Sequence, residues 1–372
     1  MSSTHSVLEE LGTDPFAGAA PPELAAVRAG EDLDWTRIEP YLRAQLPELS
    51  GAFAVLQFPN GAANLTYLLR FGDTELVLRR PPFGVLAPGA HDMRREYRVL
   101  SRLWRYFDRA PRAYVFCDDK SVAGSDFFVM ERRRGEVIRG VIPSSMRHHV
   151  EVGRRVGLAI ADATAELHLL DPVACELGDL GKPQGFVERQ VQGWKHRWDL
   201  VKTEKTPQAM DDIAQRLARR IPTAQRVSFV HNDLKLDNSQ FEPADPDRVR
   251  SFFDWDMTTL GDPLVDLGTL LNYWPDPSDP PDAHRTSHAG MERMGLPTRA
   301  EMVERYAART RVDVAQVPWY EAFAQWKTAV VVQQLHVRWL RGESSDPRME
   351  HIANGIPRLA ATARALLEEI GL

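Results

Sequence analysis

The order of apolar and polar residues divides the chain into a strand-rich first part and a helical second part. Alternating residues in LTYLLRF (65–71) and TELVLRR (74–80) predict two antiparallel strands joined by a turn at Gly72 and Asp73. Apolar residues at helical intervals then predict a helix over HDMRREYRVLSRLWRYF (91–107). Two further strands are predicted in PRAYVFCDD (111–119) and SDFFVMERR (125–133).

Two features precede these elements. Residues 1–33 are rich in Ala, Gly and Pro, and we expect a loose N-terminal arm there. From Asp34 to Leu46 the apolar residues fall at helical intervals, which predicts a short helix. The order strand, strand, helix, strand, strand that follows this helix predicts a small mixed lobe.

From about residue 145 the helical patterns take over. One long helix is predicted over HHVEVGRRVGLAIADATAELHLL (148–170), and two more helical segments lie between Phe186 and Arg220. A compact β island then interrupts the helices, in VSFVHNDLKLDNSQF (227–241) and VRSFFDWD (249–256).

Beyond the β island, residues 275–298 are rich in proline and predict an excursion loop, and helical spacing resumes at Arg299. The whole pattern predicts an α+β protein of two lobes. A small β-rich N-lobe covers residues 34–132, and a larger helical C-lobe with the β island covers residues 133–372. The segment from Met130 to Gly140 is the predicted hinge.

Composition and charge exclude several functional classes. The 372 residues carry a net charge of −6, and the basic residues are spread along the chain, so we expect no nucleic-acid partner. No apolar run approaches the ~20 residues that span a bilayer, so no membrane association is expected. The first residues lack the features of a signal peptide. We therefore expect a cytoplasmic protein whose oligomeric state is left open.

The residues that carry chemistry lie in the β island. HNDLKLDN (231–238) follows the apolar strand SFV, and DWD (254–256) begins sixteen residues after Asn238 and follows SFF. Phosphoryl transfer needs such groups, because the transferring phosphoryl is highly anionic and has to be positioned and neutralised by a divalent metal. Magnesium prefers hard oxygen ligands, and a further carboxylate accepts the proton of the attacking hydroxyl.

The pattern H-N-D-x-x-x-x-N followed by D-W-D resembles the aminoglycoside phosphotransferase and choline kinase group, which are relatives of protein kinases. The resemblance runs from about Ala52 to Leu340. It is most marked to the branch whose domains are fused to acyl-CoA dehydrogenases, and VLRRPP, HDMRREYRVL, GFVERQ and DWDMTTLGDPLVDLG carry it. The resemblance implies a protein-kinase-like fold and Mg²⁺-dependent transfer of the γ-phosphoryl group of ATP or GTP to a hydroxyl of a small molecule.

The same resemblance assigns roles to individual residues. Asp233 is implied to be the catalytic base, and Asn238 and Asp254 are implied to be the metal ligands. Asn232 departs from the family pattern, which commonly has glycine there, although asparagine tolerates the positive φ of such a turn. The supporting positions are His231, which orients the loop, Asp256, which assists the metal or the substrate, Asp266, which pins the loop, and Lys235.

The N-lobe is expected to hold the nucleotide. The loop over residues 58–64 lies where kinases place a phosphate-covering loop, although it lacks G-x-G-x-x-G. Arg79 occupies the place of the kinase strand lysine, keeps its charge and binds phosphate bidentately. Glu96 is its natural partner, and a solvated surface pair is the alternative. The expected nucleotide-binding positions are Asn64, Arg79, Glu96, Met130 and Glu131, the last two in a strand edge and hinge (FVME, 128–131) that receive the adenine.

The acceptor site has a weaker signature. Trp274 is the expected pocket residue, because it follows the helix of Asp266 and opens the proline-rich loop. For the other aromatic residues of the C-lobe we expect a position in the core, and they are Trp194, Trp198, Tyr273, Trp319 and Trp326. Acidic residues of the loop alternate with prolines and indicate a solvated segment rather than a pocket for polycationic aminoglycosides; they are Asp276, Asp279 and Asp282. The resemblance suggests instead a hydroxyacyl metabolite or its CoA thioester.

Three alternatives to an active kinase of this kind stay open. The first is a non-catalytic nucleotide-binding pseudokinase module, with Arg79 and Asn232 as signs of decay, but the intact Asp233, Asn238 and Asp254 argue against it. The second is a metal-dependent hydrolase built on the same carboxylates, which would leave the N-lobe without a purpose. The third is a kinase that modifies aminoglycosides.

Overall fold

The backbone groups into two compact units. The computed structural model describes residues 23–59, 64–84, 91–279, 287–344 and 346–372. The first unit consists of the described residues up to Trp104 together with Ala110–Arg133, and the second consists of Arg105–Arg109 and the described part of Arg134–Leu372. Among the described residues, no helix is both long enough and apolar enough to cross a membrane.

The first unit is built on an antiparallel five-stranded sheet in the order β1-β2-β3-β5-β4. Its strands are β1 (Phe53–Gln57), β2 (Leu65–Phe71), β3 (Thr74–Arg80), β4 (Ala113–Cys117) and β5 (Phe127–Glu131). Its helices are α1 (Trp35–Gln45), α2 (Met93–Leu103) and the short α3 (Lys120–Ala123). Each helix therefore lies in the chain before or between strands of one sheet.

Strands β2 and β3 confirm the sequence prediction at both ends. They pair antiparallel from Leu65 and Arg80 at one end to Phe71 and Thr74 at the other. Gly72, in the turn between them, has φ of 56°, a left-handed conformation that costs glycine nothing. The alternating apolar pattern and this turn together fix the register of the hairpin.

Three details of the sheet differ from the predictions. β1 is a strand that the pattern did not mark, because its burial does not alternate regularly. The helix predicted over 91–107 is shorter, and it begins after Asp92, whose side chain accepts the Arg95 N–H as an N-cap. β5 pairs with both β3 and β4, so the FVME segment is an inner strand rather than a strand edge.

The core of the first unit lies between α1 and the sheet. Trp35, Ile38 and Leu42 recur at helical spacing on α1 and are buried together with inward residues of the sheet such as Tyr67 and Leu78. Burial of these apolar faces is the main source of stability for such a layer arrangement.

The described end of the predicted N-terminal arm is bonded to this sheet. Ala25 forms a β-bridge with Gln57 in β1, and the Tyr67 hydroxyl donates a hydrogen bond to the Glu31 carbonyl (2.5 Å). Ala25 therefore extends the edge of the sheet beyond β1 by one bridge, and Glu31 is bonded to β2.

The second unit is mainly helical, as predicted, and contains two short hairpins. Its helices are α4 (Val152–Leu169), α5 (Phe186–Val201), α6 (Ala209–Arg219), α7 (Leu264–Asn272), α8 (Arg299–Thr310), α9 (Val317–Leu340) and α10 (Ile356–Glu369). Its strands are β6 (Ser228–Val230), β7 (Ser239–Phe241), β8 (Val249–Phe252) and β9 (Thr259–Gly261), and β6 pairs with β9 while β7 pairs with β8. The β island of the sequence thus supplies three strands of two antiparallel pairs, and the fourth, β9, lies just beyond it.

Helices α7 and α9 approach each other closely at Gly268. A Cβ atom at this position would lie 2.5 Å from the backbone carbonyl carbon and oxygen of Tyr320 on α9. Only glycine fits without a shift of one helix, so Gly268 sets the distance between α7 and α9. Both helices supply residues to the site described next.

Candidate active site

The two hairpins bring the predicted catalytic residues together. Ser239 of β7 faces Phe252 of β8, and the Phe253 N–H donates to the Asn238 carbonyl (2.9 Å), which extends this ladder by one residue. Asp254 comes next in the chain. Antiparallel pairing therefore places Asn238 and Asp254, the two predicted metal ligands, at the same end of the hairpin.

Asp266 holds the start of the loop that contains Asp233. Its two carboxylate oxygens accept the backbone N–H groups of His231 (2.6 Å) and Asn232 (2.7 Å). Asp266 lies on α7, is fully buried, and is also 3.2 Å from the Nε2 of His168. Bonds from a carboxylate to two consecutive backbone amides fix the direction in which the chain leaves β6.

His231 joins this loop to the strand that precedes Asp254. Its Nε2 donates to the Phe253 carbonyl (2.9 Å), and its Nδ1 accepts the Asp233 N–H (3.4 Å). The ring is fully buried, and burial lowers the pKa of His231. A neutral imidazole with its proton on Nε2 satisfies both contacts, so His231 works as a crosslink.

Asn232 adopts the left-handed backbone that its position requires, with φ of 70°. Its Nδ2 donates to the Met257 carbonyl (2.9 Å), and its own carbonyl accepts from the Nζ of Lys327 on α9 (3.1 Å). With the bond to Asp266, three polar groups of this one residue are held by three different segments. These contacts stabilise a conformation that costs energy for residues with a Cβ.

Asp233 points its carboxylate at two side chains of the same loop. Lys235 Nζ donates to both carboxylate oxygens (2.9 and 3.1 Å), and the Nδ2 of Asn238 donates to Oδ2 (2.8 Å) and to the Asp233 carbonyl (2.9 Å). Burial by itself lowers the pKa of Lys235, but the charges of Asp233, Tyr273 and Asp237 together with the hydrogen bond to Asp233 outweigh it, and the pKa lies above its ordinary value. Asp233 thus faces a fully charged ammonium.

The arrangement of Asn238 fits a magnesium ligand. Both bonds of its Nδ2 are directed at Asp233, which leaves the Oδ1 as the amide atom that can meet a cation. Among the described residues no three acidic, histidine or cysteine side chains are grouped to hold a metal by themselves. A site on Asn238 and Asp254 would be completed by water and phosphate oxygens, as is usual for magnesium in phosphoryl transfer. Asp256 lies beside this end of the hairpin, in the 3₁₀ turn Trp255–Met257.

The predicted nucleotide-binding residues belong to the first unit. Arg79 on β3 and Glu96 on α2 form an ion pair (3.0 Å), and their side chains are only 11% and 1% exposed. The pair is therefore buried, in contrast to the solvated surface pair that was the alternative. Asn64 contacts His91, with 2.7 Å between Oδ1 and Nδ1.

Met130 and Glu131 end strand β5. Met130 pairs with Val77 of β3 and is buried, whereas Glu131 is partly exposed and forms an ion pair with Arg133. The predicted phosphate-covering loop includes residues 60–63, which lie outside the described residues.

A cavity of about 240 Å³ lies next to the Asp233 loop, within the second unit. We name it the Tyr273 cavity, and its lining consists of Lys235, Leu236, Asp237, Tyr273, Ser287, His288 and Met291. Lys235 connects it to the predicted base, since its Nζ contacts Asp233 and lies 5.3 Å from the centre of the Tyr273 ring. His288 Nε2 is 3.1 Å from an Asp237 carboxylate oxygen.

Trp274, the expected acceptor-pocket residue, is not among the residues that line this cavity. Its side chain is 1% exposed, and its indole N–H donates to the Pro297 carbonyl (2.8 Å). Gly157 of α4 makes room for the ring, because a Cβ there would lie 2.7 Å from a Trp274 ring carbon. The preceding residue, Tyr273, turns toward the loop instead. Trp194, Trp198, Trp319 and Trp326 are buried, as expected of core residues.

The acidic residues of the proline-rich loop serve its local structure. Asp276 accepts the Arg299 N–H (2.7 Å), and Asp279 forms an ion pair with the Arg299 guanidinium (2.7 Å). Asp282 lies outside the described residues. Sequence reasoning missed Lys327 and His288, because neither belongs to a motif and each meets its partner only through the fold.

Comparison with known proteins gives a consistent result. The sequence model of the phosphotransferase enzyme family matches residues 54–304, more than half of the chain. Among curated proteins, acyl-CoA dehydrogenase family member 10 of Mus musculus is 31% identical over 328 residues, and member 11 of the same species is 31% identical over 346 residues. These matches cover 87% and 90% of this chain but only 30% and 43% of those proteins, so the chain spans less than half the length of either relative.

Solved structures share the fold. A candidate aminoglycoside phosphotransferase from Ralstonia eutropha JMP134 superposes with a TM-score of 0.76 at 28% identity, covering 91% of this chain and 99% of that one. An aminoglycoside phosphotransferase in ternary complex with ADP and hygromycin B has a TM-score of 0.56 at 13% identity, covering 90% and 99%. The architecture is therefore the protein-kinase-like fold of phosphotransferases, with a small antiparallel sheet and a larger helical part.

Proposed function

This chain belongs to the phosphotransferase enzyme family, and we propose that it transfers the γ-phosphoryl group of ATP or GTP to a hydroxyl group of a small molecule. The observation that supports this most strongly is the loop from His231 to Asn238. It presents one carboxylate, Asp233, oriented by its own neighbours, and an amide oxygen of Asn238 at the end of a hairpin that also carries Asp254.

Asp233 is the proposed catalytic base. The acceptor hydroxyl donates to its carboxylate and passes its proton there as the oxygen attacks phosphorus, while the bond from phosphorus to the bridging oxygen of the nucleotide breaks. Lys235 and Asn238 hold the carboxylate in place through three hydrogen bonds. A base fixed in this way needs little reorganisation when the acceptor arrives.

Asn238 and Asp254 are the proposed ligands for magnesium, through one amide oxygen and one carboxylate. Bound Mg²⁺ supplies charge neutralisation of the phosphate oxygens. Arg79 is the proposed phosphate-binding cation of the first unit. Its ion pair with Glu96 is buried, which holds the guanidinium at a fixed position on β3 and suits a planar group that binds phosphate through two N–H donors.

The Tyr273 cavity is the proposed site of the acceptor. Its polar lining consists of Lys235, Asp237, Ser287 and His288, and the rest, Leu236, Tyr273 and Met291, is apolar or aromatic. A polycation would meet the Lys235 ammonium, so the lining disfavours aminoglycosides. A hydroxylated acyl group, free or as its CoA thioester, fits the apolar lining, and the relatives that carry acyl-CoA dehydrogenase names support the same substrate class.

Thermal unfolding with and without Mg²⁺ and nucleotide tests the nucleotide site. A nucleotide at a hundred times its dissociation constant adds about 2.7 kcal/mol to the free energy of unfolding, so Tm rises by several degrees. The rise should need magnesium and should be lost in Asp254→Ala. No magnesium-dependent rise with ATP or with GTP would contradict the proposal.

A screen for ADP or GDP release tests the acceptor. Hydroxyacyl-CoA thioesters, the free hydroxy acids and hygromycin B serve as the three arms, each with wild type and with Asp233→Asn. We expect release with a hydroxyacyl arm and none with hygromycin B. Release with hygromycin B alone would move the assignment to an aminoglycoside kinase, and nucleotide binding without release in any arm would favour a non-catalytic module.

A further inference from the structure

We propose that Lys327, on α9, is a positioning residue that holds the loop of Asp233 in its working conformation. The inference rests on the proposed function, because it gives Lys327 a purpose only where Asp233 has to be oriented. Nothing in the catalytic motif points to this lysine, which lies 95 residues farther along the chain than the residue it contacts.

Lys327 reaches the loop through one well-defined contact. Its Nζ donates to the Asn232 carbonyl (3.1 Å) and lies 5.5 Å from the centre of the Trp194 ring on α5. The charged groups that face it are the carboxylates of Asp233 and Asp266 and the cations of Lys235 and Arg197. The two carboxylates offset part of the cost of burying the ammonium, and the face of an indole ring offsets more.

Asn232 is the residue whose orientation decides where Asp233 points. Its N–H is bonded to Asp266 of α7, its side chain to the Met257 carbonyl, and its carbonyl to Lys327. The N–H and the carbonyl together define both peptide planes around Asn232. The Asn232 carbonyl belongs to the peptide that joins it to Asp233, so Lys327 fixes the plane from which the proposed base extends.

The fold explains why Lys327 is in reach. Gly268 lets α7 and α9 pack with their backbones close together at Tyr320. Lys327 follows Tyr320 by about two helical turns, and Asp266 lies two residues before Gly268. This close packing therefore places the Asp266 carboxylate of α7 at the Asn232 N–H and the Lys327 ammonium of α9 at the Asn232 carbonyl.

Three variants of Lys327 separate a hydrogen-bond donor from mere packing. Lys327→Met keeps the length of the side chain and removes the donor and the charge, Lys327→Gln keeps a donor, and Lys327→Arg keeps both. Lys202→Met is the matched control, since Lys202 forms ion pairs only with Asp199 and Asp211 at the surface. Thermal unfolding shows which variants are folded.

The first readout is amide hydrogen exchange of the peptide that spans residues 228–238, which needs no substrate. We expect faster exchange of this peptide in Lys327→Met, unchanged exchange in Lys202→Met, and protection restored in Lys327→Arg. Equally increased exchange along α9 and the loop would show a general structural role and overturn the proposal. Unchanged exchange of the loop in Lys327→Met would overturn it too.

The second readout is steady-state ADP release from MgATP in the presence of the hydroxyacyl acceptors of the screen. A displaced base costs roughly 10²-fold in kcat, whereas KM for the nucleotide should change less than twofold. Recovery of kcat in the order Met, Gln, Arg supports positioning, and an unchanged kcat in Lys327→Met contradicts it. If the wild type releases no ADP, the proposed function fails, while the exchange experiment still decides whether Lys327 holds the loop.

Discussion

The loop of Asp233 and the Tyr273 cavity share Lys235, Leu236 and Asp237, yet their other residues are held by different means. The loop is fixed by buried groups from several elements, above all by Asp266 of α7 and by the neutral ring of His231. The cavity is bounded on one side by His288, whose side chain is 45% exposed and meets the partly exposed Asp237. The proposed base therefore lies on a loop held by buried contacts, and the proposed acceptor site has a partly exposed wall, where a substitution should cost little stability.

The loss of Asp266 should have the largest effect, because Asp266 holds the backbone at the start of the Asp233 loop. Asp266→Ala leaves the buried N–H groups of His231 and Asn232 without their acceptor, at about 1–3 kcal/mol for each group. We expect the free energy of unfolding, measured with urea, to fall by about 3 kcal/mol or more, and turnover to be lost. Asp118→Ala, which removes one partner of a surface ion pair with Arg94, is the control and should leave both unchanged.

A drop in unfolding free energy below about 1 kcal/mol in Asp266→Ala would mean that the loop does not depend on its buried acceptor. The two regions would then differ less than the hydrogen bonds indicate.

The second largest effect is expected from acidification, which should lower the free energy of unfolding. Burial lowers the pKa of His231 below its ordinary value of 6.5, so the unfolded chain binds a proton near pH 6.5 that the folded protein excludes. The contribution of His231 to stability is present above this pH and is lost as the pH falls below it, by up to about 1.4 kcal/mol per pH unit. The measurement is the unfolding free energy between pH 7.5 and about 5.

His231→Gln is the matched variant for that measurement, because it does not titrate in this range. The difference in stability between wild type and His231→Gln should shrink as the pH falls. A difference that stays constant would show that burial does not keep the ring neutral.

The smallest effect is expected at the cavity. His288→Ala breaks a half-exposed pair with Asp237, and such pairs contribute little to stability. We expect Tm to stay the same, KM for the acceptor to change severalfold, and kcat to be retained. Loss of kcat with an unchanged KM would place His288 in the catalytic machinery and remove the contrast between the two regions.

The sequence predicts the loop far better than the cavity, and the reason is physical. HNDLKLDN and DWD place charged residues directly after apolar strands, and strand pairing then has few ways to arrange them. The strands over 65–71 and 74–80 were predictable for the same reason, since alternation and a tight turn fix their register.

Contacts across the fold carry no such local signal. Trp274 is buried because Gly157 leaves space for its ring, and Tyr273 lines the cavity instead. The periodicity of the sequence does not indicate which of the two aromatic residues takes which position. In the sequence Lys327 has no feature that distinguishes it from other lysines in helices. Its contact with the loop arises only because α7 and α9 pack closely at Gly268. β1 escaped prediction because its buried positions do not alternate.

The most direct test of the account is the effect of Asp233→Asn on turnover and on nucleotide binding, with Asp118→Asn, in a surface ion pair with Arg94, as the control. We expect Asp233→Asn to lower kcat by about 10²–10⁴-fold while the magnesium-dependent rise in Tm with nucleotide persists. Asp118→Asn should keep the turnover of the wild type. Turnover that survives in Asp233→Asn would contradict the assignment of the base, and with it the phosphoryl-transfer mechanism proposed for this loop.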